Sequence, residues 1–440
     1  MAATRSQLSA AMLLITVGLC RGFSSLPARG GSVAVIGGGF GGLYTALKLE
    51  ELSKEAGNSR IEITLIDPKD KFVFLPLLYE LAVGTASILE VAPRYSSILE
   101  DSGIKFIQDS AQLVDCEKNE VVLSGDKGVR RSFDQIVIAS GAQPRTDMIP
   151  GAREHSMPFS RVEDAYALST RLRALQAKGG IARVVVIGGG YSGVEVATNV
   201  AEYLGGGCKV SLLDRNEEVM HSSPLHNREH AKASLSGSGV DLVMGVDVKE
   251  ITAAAVVHAP KDGSAQPTEL PADLVITTCG VKVSALVEGL SVPKDTSGRV
   301  LTDRALRSVA HKRIFALGDC AAVDGELVPS TAQAAMQQAG IVAQNVIKQN
   351  NYDLDVNGLP TTALETFSFV NLGEMLTLGD TDASISSLGG LVKLQGPLAA
   401  MARRLVYVAR QPTNKQRATA LLGASITTGA KILLKFLPKA

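Results

Sequence analysis

The feature that most constrains this chain is a strand–glycine–helix unit that occurs twice. Residues 32–50 (SVAVIGGGFGGLYTALKLE) pass from a β-branched stretch through Gly37, Gly39 and Gly42, spaced G-x-G-x-x-G, into a helical pattern. Residues 183–197 (RVVVIGGGYSGVEVA) repeat the arrangement with Gly188, Gly190 and Gly193. In such a unit the first glycine permits the tight turn and the second lets backbone approach a pyrophosphate. The third brings helix against strand, so that the helix N-terminus faces negative charge. Gly41 leaves further room in the first loop. Each unit is completed by a second strand ending in an acid: IEITLID ends at Asp67 and KVSLLD at Asp214. Either carboxylate can accept hydrogen bonds from a ribose diol. One glycine motif in a glycine-rich chain is weak evidence, but two with matching strands and acids predict two dinucleotide sites.

A chain of 440 residues has room for two or three domains. The absence of Trp, with only 4% aromatic residues, leaves little base-stacking surface and argues against nucleic acid as a partner. Five scattered cysteines form no CxxC pair, and the six histidines form no metal-ligand cluster, so neither a disulfide framework nor a metal site is expected. The 44 basic and 44 acidic residues cancel in sum but not in space. No Asp or Glu precedes Glu50 or follows Asp382, so an acidic body carries two basic ends.

The N-terminal end has an apolar run at 10–20 and then a basic, acid-free stretch through Arg29. It is too short to span a membrane and reads as a removable targeting segment over 1–29. Its form resembles the bipartite presequences of plastids of secondary endosymbiotic origin, with a mitochondrial presequence as the alternative. At the other end, Leu422, Ile426, Gly429, Leu433 and Phe436 share one helical face. Lys415, Arg417, Lys431, Lys435 and Lys439 lack acidic neighbours in sequence, which predicts an amphipathic helix lying on an anionic membrane surface.

Four motifs in order make the chain resemble the two-dinucleotide flavoproteins. Besides the two glycine loops, 136-IVIASGAQP-144 resembles the crossover between domains, with Ser140 and Gly141 at its turn. The stretch 314-IFALGDCA-321 resembles the late flavin motif, with Gly318 and Asp319 at the ribityl position. The resemblance implies an α/β fold of two Rossmann-like domains, noncovalent FAD in the first and NADH or NADPH in the second, inserted one. Domain limits follow at 30–150 and 292–365 for the FAD domain, 151–291 for the NAD(P)H domain and 366–440 for a membrane-anchoring segment.

The segment 329-PSTAQAAMQQAG-340 resembles the AQxAxQ segment of type II NAD(P)H:quinone oxidoreductases, with Ala332, Gln333, Ala335 and Gln337 at matching positions. The stretches FLPLLYE at 74–80, 371–385 and 396–413 extend the likeness toward the plastid-type C1 subgroup of plants and algae. This resemblance implies a membrane-peripheral enzyme that passes two electrons from NAD(P)H through FAD to a prenylquinone and pumps no protons. It places small residues such as Ala332 at the flavin, lets Gln333 and Gln337 flank or hydrogen-bond the quinone, and makes Glu195 an acid near nicotinamide and quinone. A homodimer is left open. Asp214 favours the free 2′-hydroxyl of NADH, while Arg215 could hold the 2′-phosphate of NADPH. A sulfide:quinone oxidoreductase would need two thiols at the flavin, and only Cys320 is expected there. A redox-sensing flavoprotein is the reading from another class. The EF-hand-like start at Asp353 is rejected, because Pro360 interrupts the loop and Leu364 replaces the bidentate Glu.

Overall fold

The computed structural model describes residues 31–55, 61–125, 128–351 and 363–436, with side chains given outside 351 and 426–436. The targeting segment and most of the EF-hand-like stretch lie outside the described residues.

The chain opens with β1 (Gly31–Ile36), α1 (Phe40–Glu55), β2 (Ile61–Ile66), β3 (Lys105–Ile107) and β4 (Gln135–Ile138). It continues through β5 (Met157–Pro158), α2 (Val162–Lys178), β6 (Ala182–Ile187), α3 (Tyr191–Leu204), β7 (Cys208–Asp214), α4 (Leu225–Gly237), β8 (Val240–Met244) and β9 (Leu274–Thr277). It closes with β10 (Ile314–Ala316), α5 (Ala332–Asn351), β11 (Glu374–Thr377), β12 (Ala383–Ser387), β13 (Val392–Gln395), α6 (Pro397–Ala409) and α7 (Asn414–Phe436).

Two parallel sheets result. The first has the order β10-β4-β1-β2-β3 and the second β8-β7-β6-β9-β5. Their central strands are continuous apolar runs, Val33–Ile36 and Val184–Ile187, buried on both faces as a parallel sheet covered by helices requires. The late strand β10 pairs with β4, Phe315 opposite Val137, so the chain returns to the first sheet after building the second. The exit and the return cross as a small antiparallel pair, with Ala142 opposite Val283. α5 lies along α1 and covers the first sheet.

The last part is a three-stranded antiparallel sheet, β11-β12-β13, with α6 packed on it. α7 packs against α6 and the short helix Ile88–Val91. The basic charge of this segment is less free than the sequence suggests. Arg403 and Arg404 pair with Glu80, Arg404 also with Glu90, and Lys415 with Glu100. Those acids stand more than 300 residues away along the chain, beyond the reach of a count of sequence neighbours.

Candidate functional site

The two glycine loops fold alike. Gly37 and Gly188 take φ of 101° and 112°, a region L side chains avoid. A Cβ on Gly42 would stand 1.7 Å from the Gly37 carbonyl oxygen, and one on Gly193 would stand 1.7 Å from that of Gly188. The middle glycines differ: a Cβ on Gly39 or Gly190 would meet nothing within 4 Å, which leaves open space where a pyrophosphate lies against backbone. Gly41 packs under Leu317.

Both predicted acids reach their loop. Asp67 accepts from the Gly38 N–H at 2.7 Å and Asp214 from the Gly189 N–H at 2.5 Å. The second oxygen of Asp67 takes the Lys69 N–H, and that of Asp214 takes the backbone and side-chain amides of Asn216. Tyr95, buried, donates to the Gly38 carbonyl at 2.7 Å and braces the first loop from behind. Arg215 is exposed and 3.7 Å from Asp247.

The Gly318–Asp319 turn closes the first cradle. Gly318 has a φ of 72°, and its N–H donates to Gln338 Oε1 at 2.7 Å, so α5 holds the turn. Burial pushes the Asp319 carboxyl up against a smaller opposing pull from Arg299. Cys320 is fully buried, and burial pushes its thiol up to about 11, so it stays protonated at neutral pH. Ser140 shares a 2.9 Å hydrogen bond with Ser284, the N-cap of the short helix Ala285–Glu288, while Gly141 takes a positive φ. The crossover serine thereby ties the outgoing chain to the returning one.

A cavity of about 280 Å³ opens where α1, α3, α5, β11, β12 and α6 meet. Its lining combines Phe40 of the first glycine loop, Tyr191 of the second, Ala332, Gln333 and Met336 of α5, and Val406, Tyr407 and Arg410 from the C-terminal segment. Phe74, Pro76, Phe369 and Leu372 add to a mostly apolar surface. Such a mixture of apolar walls with a few polar groups suits a flat, hydrophobic substrate.

The two predicted glutamines behave differently from expectation. Gln333 lines the cavity, but its amide donates to the Gly373 carbonyl at 3.2 Å and accepts from the Leu372 N–H at 3.1 Å. Gln337 makes the same two-way pairing with Val370, at 2.8 and 3.0 Å, and stands outside the lining. One helical turn apart, they act as substitute strand partners for the extended backbone 370–373. One N–H of each amide is committed to building the wall, and Gln333 stands on the cavity lining.

Glu195 is buried, 9% exposed, and its Oε1 accepts from the Thr377 N–H at 3.1 Å. Burial pushes its carboxyl up to about 8, against the Thr377 hydrogen bond and the Arg403 charge, which pull it down. It sits behind the cavity wall, beside a charged cluster that the sequence reading did not single out. There Arg403 donates to Tyr79 Oη at 2.7 Å and to Glu80 at 2.6 Å, and it lies over the Tyr407 ring at 5.1 Å. The signal was present: Glu80 and Glu90 interrupt an apolar stretch, and Arg403 and Arg404 interrupt an amphipathic one.

Two open cradles with paired acids, joined through one apolar cavity, define a two-dinucleotide oxidoreductase. The family described as pyridine nucleotide-disulphide oxidoreductase matches residues 31–339. Demethylphylloquinone reductase of Synechocystis is 39% identical over 393 residues, which cover 88% of this chain and 94% of the relative. The chloroplastic/mitochondrial alternative NAD(P)H-ubiquinone oxidoreductase C1 of Arabidopsis thaliana is 35% identical over 418 residues, covering 88% and 78%. In fold, the NDH2 of Plasmodium falciparum, solved with NADH, superposes with a TM-score of 0.78 at 17% identity, covering 91% of this chain and 98% of that one. The chain belongs to the pyridine nucleotide-disulphide oxidoreductases, within their type II NAD(P)H:quinone oxidoreductase branch. FAD and NAD(P)H are the cofactors of that branch, and the residues present fit them: open backbone at Gly39 and Gly190, and a buried or half-buried acid at each ribose position.

Proposed function

We propose that this chain transfers two electrons from NAD(P)H, held at Gly188, Gly190, Gly193 and Asp214, to a prenylquinone in the apolar cavity. FAD, held at Gly37, Gly39, Gly41, Gly42, Asp67, Gly318 and Asp319, supplies the two-electron carrier chemistry between them. The observation that carries this reading is the cavity itself, which draws its wall from both glycine loops and from α5. Phe40 and Tyr191 bring the two nucleotide units to one space, Ala332 leaves room for ring approach, and Gln333 and Gln337 hold the 370–373 wall in place. Ser140 and Gly141 shape the crossover beside the first cradle. We assign residues 30–150 and 292–365 to the FAD domain, 151–291 to the NAD(P)H domain and 366–440 to the membrane-facing segment, in keeping with how the strands segregate between sheets.

The quinone reaches the cavity from a membrane surface. Among the described residues no helix is long and apolar enough to cross a bilayer. Instead Leu398, Met401 and Leu405 stand more than half exposed along one face of α6, with Leu391 at 87% and Leu421 and Leu422 exposed nearby. An apolar ridge of this kind favours a helix pair lying in the interface. The chloroplastic/mitochondrial name of the Arabidopsis relative and the cyanobacterial source of the other support a plastid membrane, with the mitochondrial inner membrane as the alternative.

Anaerobic reduction of the purified protein by NADH and by NADPH, then reoxidation by a panel of prenylquinones, tests the reading. Flavin bleaching by a nicotinamide and rapid recovery with a prenylquinone are expected. A purified protein without flavin, or one whose reduced flavin no quinone reoxidises, overturns it.

A further inference from the structure

Most polar side chains on the cavity wall are occupied by backbone. Gln333 pairs with 372–373, Ser387 donates to the Leu372 carbonyl, and Asn371 accepts from the Gly373 N–H. Glu374 is different. It stands at the start of β11 on the cavity wall, and its Oε2 accepts from the phenol of Tyr191, also on the wall. Tyr191 Oη in turn accepts from Ser223 Oγ at 2.7 Å. The other oxygen of Glu374 has no hydrogen-bond partner among the described residues. Glu374 is thus a carboxyl group on the wall of a mostly apolar chamber, with one oxygen held by a fixed phenol.

Reduction of a quinone to a quinol by NAD(P)H consumes one proton from solution beyond the hydrogen the nicotinamide delivers. After two electrons and one hydrogen have reached the ring, one quinolate oxygen still lacks a proton. We propose that Glu374 is the acid that supplies this proton, with Tyr191 and Ser223 positioning its carboxyl group. The Glu374 O–H bond breaks and the quinol O–H bond forms. The carboxylate left behind accepts the Tyr191 O–H, and water reprotonates it before the next turnover.

Glu195 is the other acid at this junction, but it is absent from the cavity lining and its Oε1 is committed to Thr377, three residues along β11 from Glu374. The charged and titratable groups that share the cavity lining with Glu374 are Tyr191 from α3 and Tyr407 and Arg410 from the α6 end. Arg410 lines the cavity without an ion-pair partner among the described residues.

This inference rests on the cavity being the quinone site, and the experiment separates the two. The holoenzyme, Glu374→Gln, Glu374→Asp, Tyr191→Phe and the cavity-filling Met336→Trp are compared by stopped-flow. The readouts are flavin reoxidation by a short-chain prenylquinone across pH, in H2O and D2O, with ferricyanide as an acceptor that takes no proton. Glu374→Gln is expected to slow quinone-driven reoxidation about 10²-fold, the usual worth of a positioned acid, and to change its solvent isotope effect. Its ferricyanide rate should report a correctly folded, flavin-loaded protein. Glu374→Asp should restore part of the rate, and Tyr191→Phe, which removes the phenol that positions the carboxyl, should slow the same step less than Glu374→Gln does. If Glu374→Gln reoxidises within threefold of wild type with an unchanged pH profile and isotope effect, while Met336→Trp blocks the quinone, the acid assignment is wrong and the cavity stands. If Met336→Trp leaves quinone kinetics untouched, the cavity reading fails and this inference with it.

Discussion

Glu195→Gln separates the folding role of this acid from its chemistry, because the structure defines both the cost of its charge and the bond a glutamine would keep. Its carboxyl is buried and pushed from 4.5 up to about 8, chiefly by burial. A folded-state value above the unfolded one means the native protein holds the proton more tightly. The associated stability is therefore complete below about pH 4.5 and is lost as pH rises through about 8. At ~1.4 kcal/mol per unit, the displacement corresponds to roughly 4–5 kcal/mol between those limits. Glutamine preserves the carbonyl oxygen that accepts the Thr377 N–H and carries no charge at any pH. Wild type and variant should thus be of similar stability near pH 5, and wild type should fall behind by about 1.4 kcal/mol per unit on the way to pH 8. Denaturant unfolding of the flavin-loaded protein at pH 5, 7 and 9, read as the difference between the two proteins, removes every other titrating group from the comparison. A difference that stays constant over that range refutes the reasoning, since it would mean Glu195 titrates alike in the folded and unfolded chain.

Arg403→Met removes a guanidinium that is 4% exposed and serves Tyr79 and Glu80; the expected loss is about 3 kcal/mol, the lower end for a broken buried pair, because Arg404 still holds Glu80 at 2.9 Å. Thermal unfolding should show it, and Glu80→Gln added to Arg403→Met should recover part of the loss. Gly193→Ala places a Cβ 1.7 Å from the Gly188 carbonyl oxygen, so NAD(P)H titration of flavin bleaching should require at least tenfold more nucleotide, or the protein should fail to fold. Arg215→Ala should lower kcat/KM for NADPH and spare that for NADH; an unchanged NADPH value means the exposed guanidinium does not read the 2′-phosphate. A chain cut after Pro412 should lose cosedimentation with anionic liposomes if α7 is the main anchor, whereas retained binding assigns that role to the α6 ridge.

The parts of this molecule that were legible in the sequence are those whose chemistry is local. Gly37, Gly42, Gly188 and Gly193 are required by turns closed within six residues, and Asp67 and Asp214 sit at strand ends fixed by the same units. The insertion of the second nucleotide domain into the first followed from the order of the motifs, whereas the strand order, with β10 beside β4, is seen only in the fold. The remainder depends on side chains meeting across long separations. Gln337 reads as an acceptor-facing residue in a helix, yet its amide is taken by Val370, 33 residues away. Glu195 reads as an acid near nicotinamide and quinone, but nothing local reveals that β11, supplied from 182 residues downstream, hydrogen-bonds it. The tail reads as uncompensated positive charge because Glu80, Glu90 and Glu100 lie far upstream. Tyr191 stands in the second glycine loop and Glu374 in the 371–385 stretch, but nothing in either motif pairs them, and only the fold brings them together.

α6 has two faces with separate duties. Val406, Tyr407 and Arg410 at its C-terminal end are part of the cavity wall, while Leu398, Met401 and Leu405 look outward. Arg403, between them, clamps the helix to Tyr79 and Glu80. A helix that is both chamber wall and outer surface links its two faces wherever an outside contact and a chamber occupant prefer the same arrangement of it, and the free energy of that coupling is then shared equally. If the proposed membrane docking and quinone binding prefer the same arrangement of α6, lipid and quinone are mutual effectors, and each strengthens the binding of the other by one common factor.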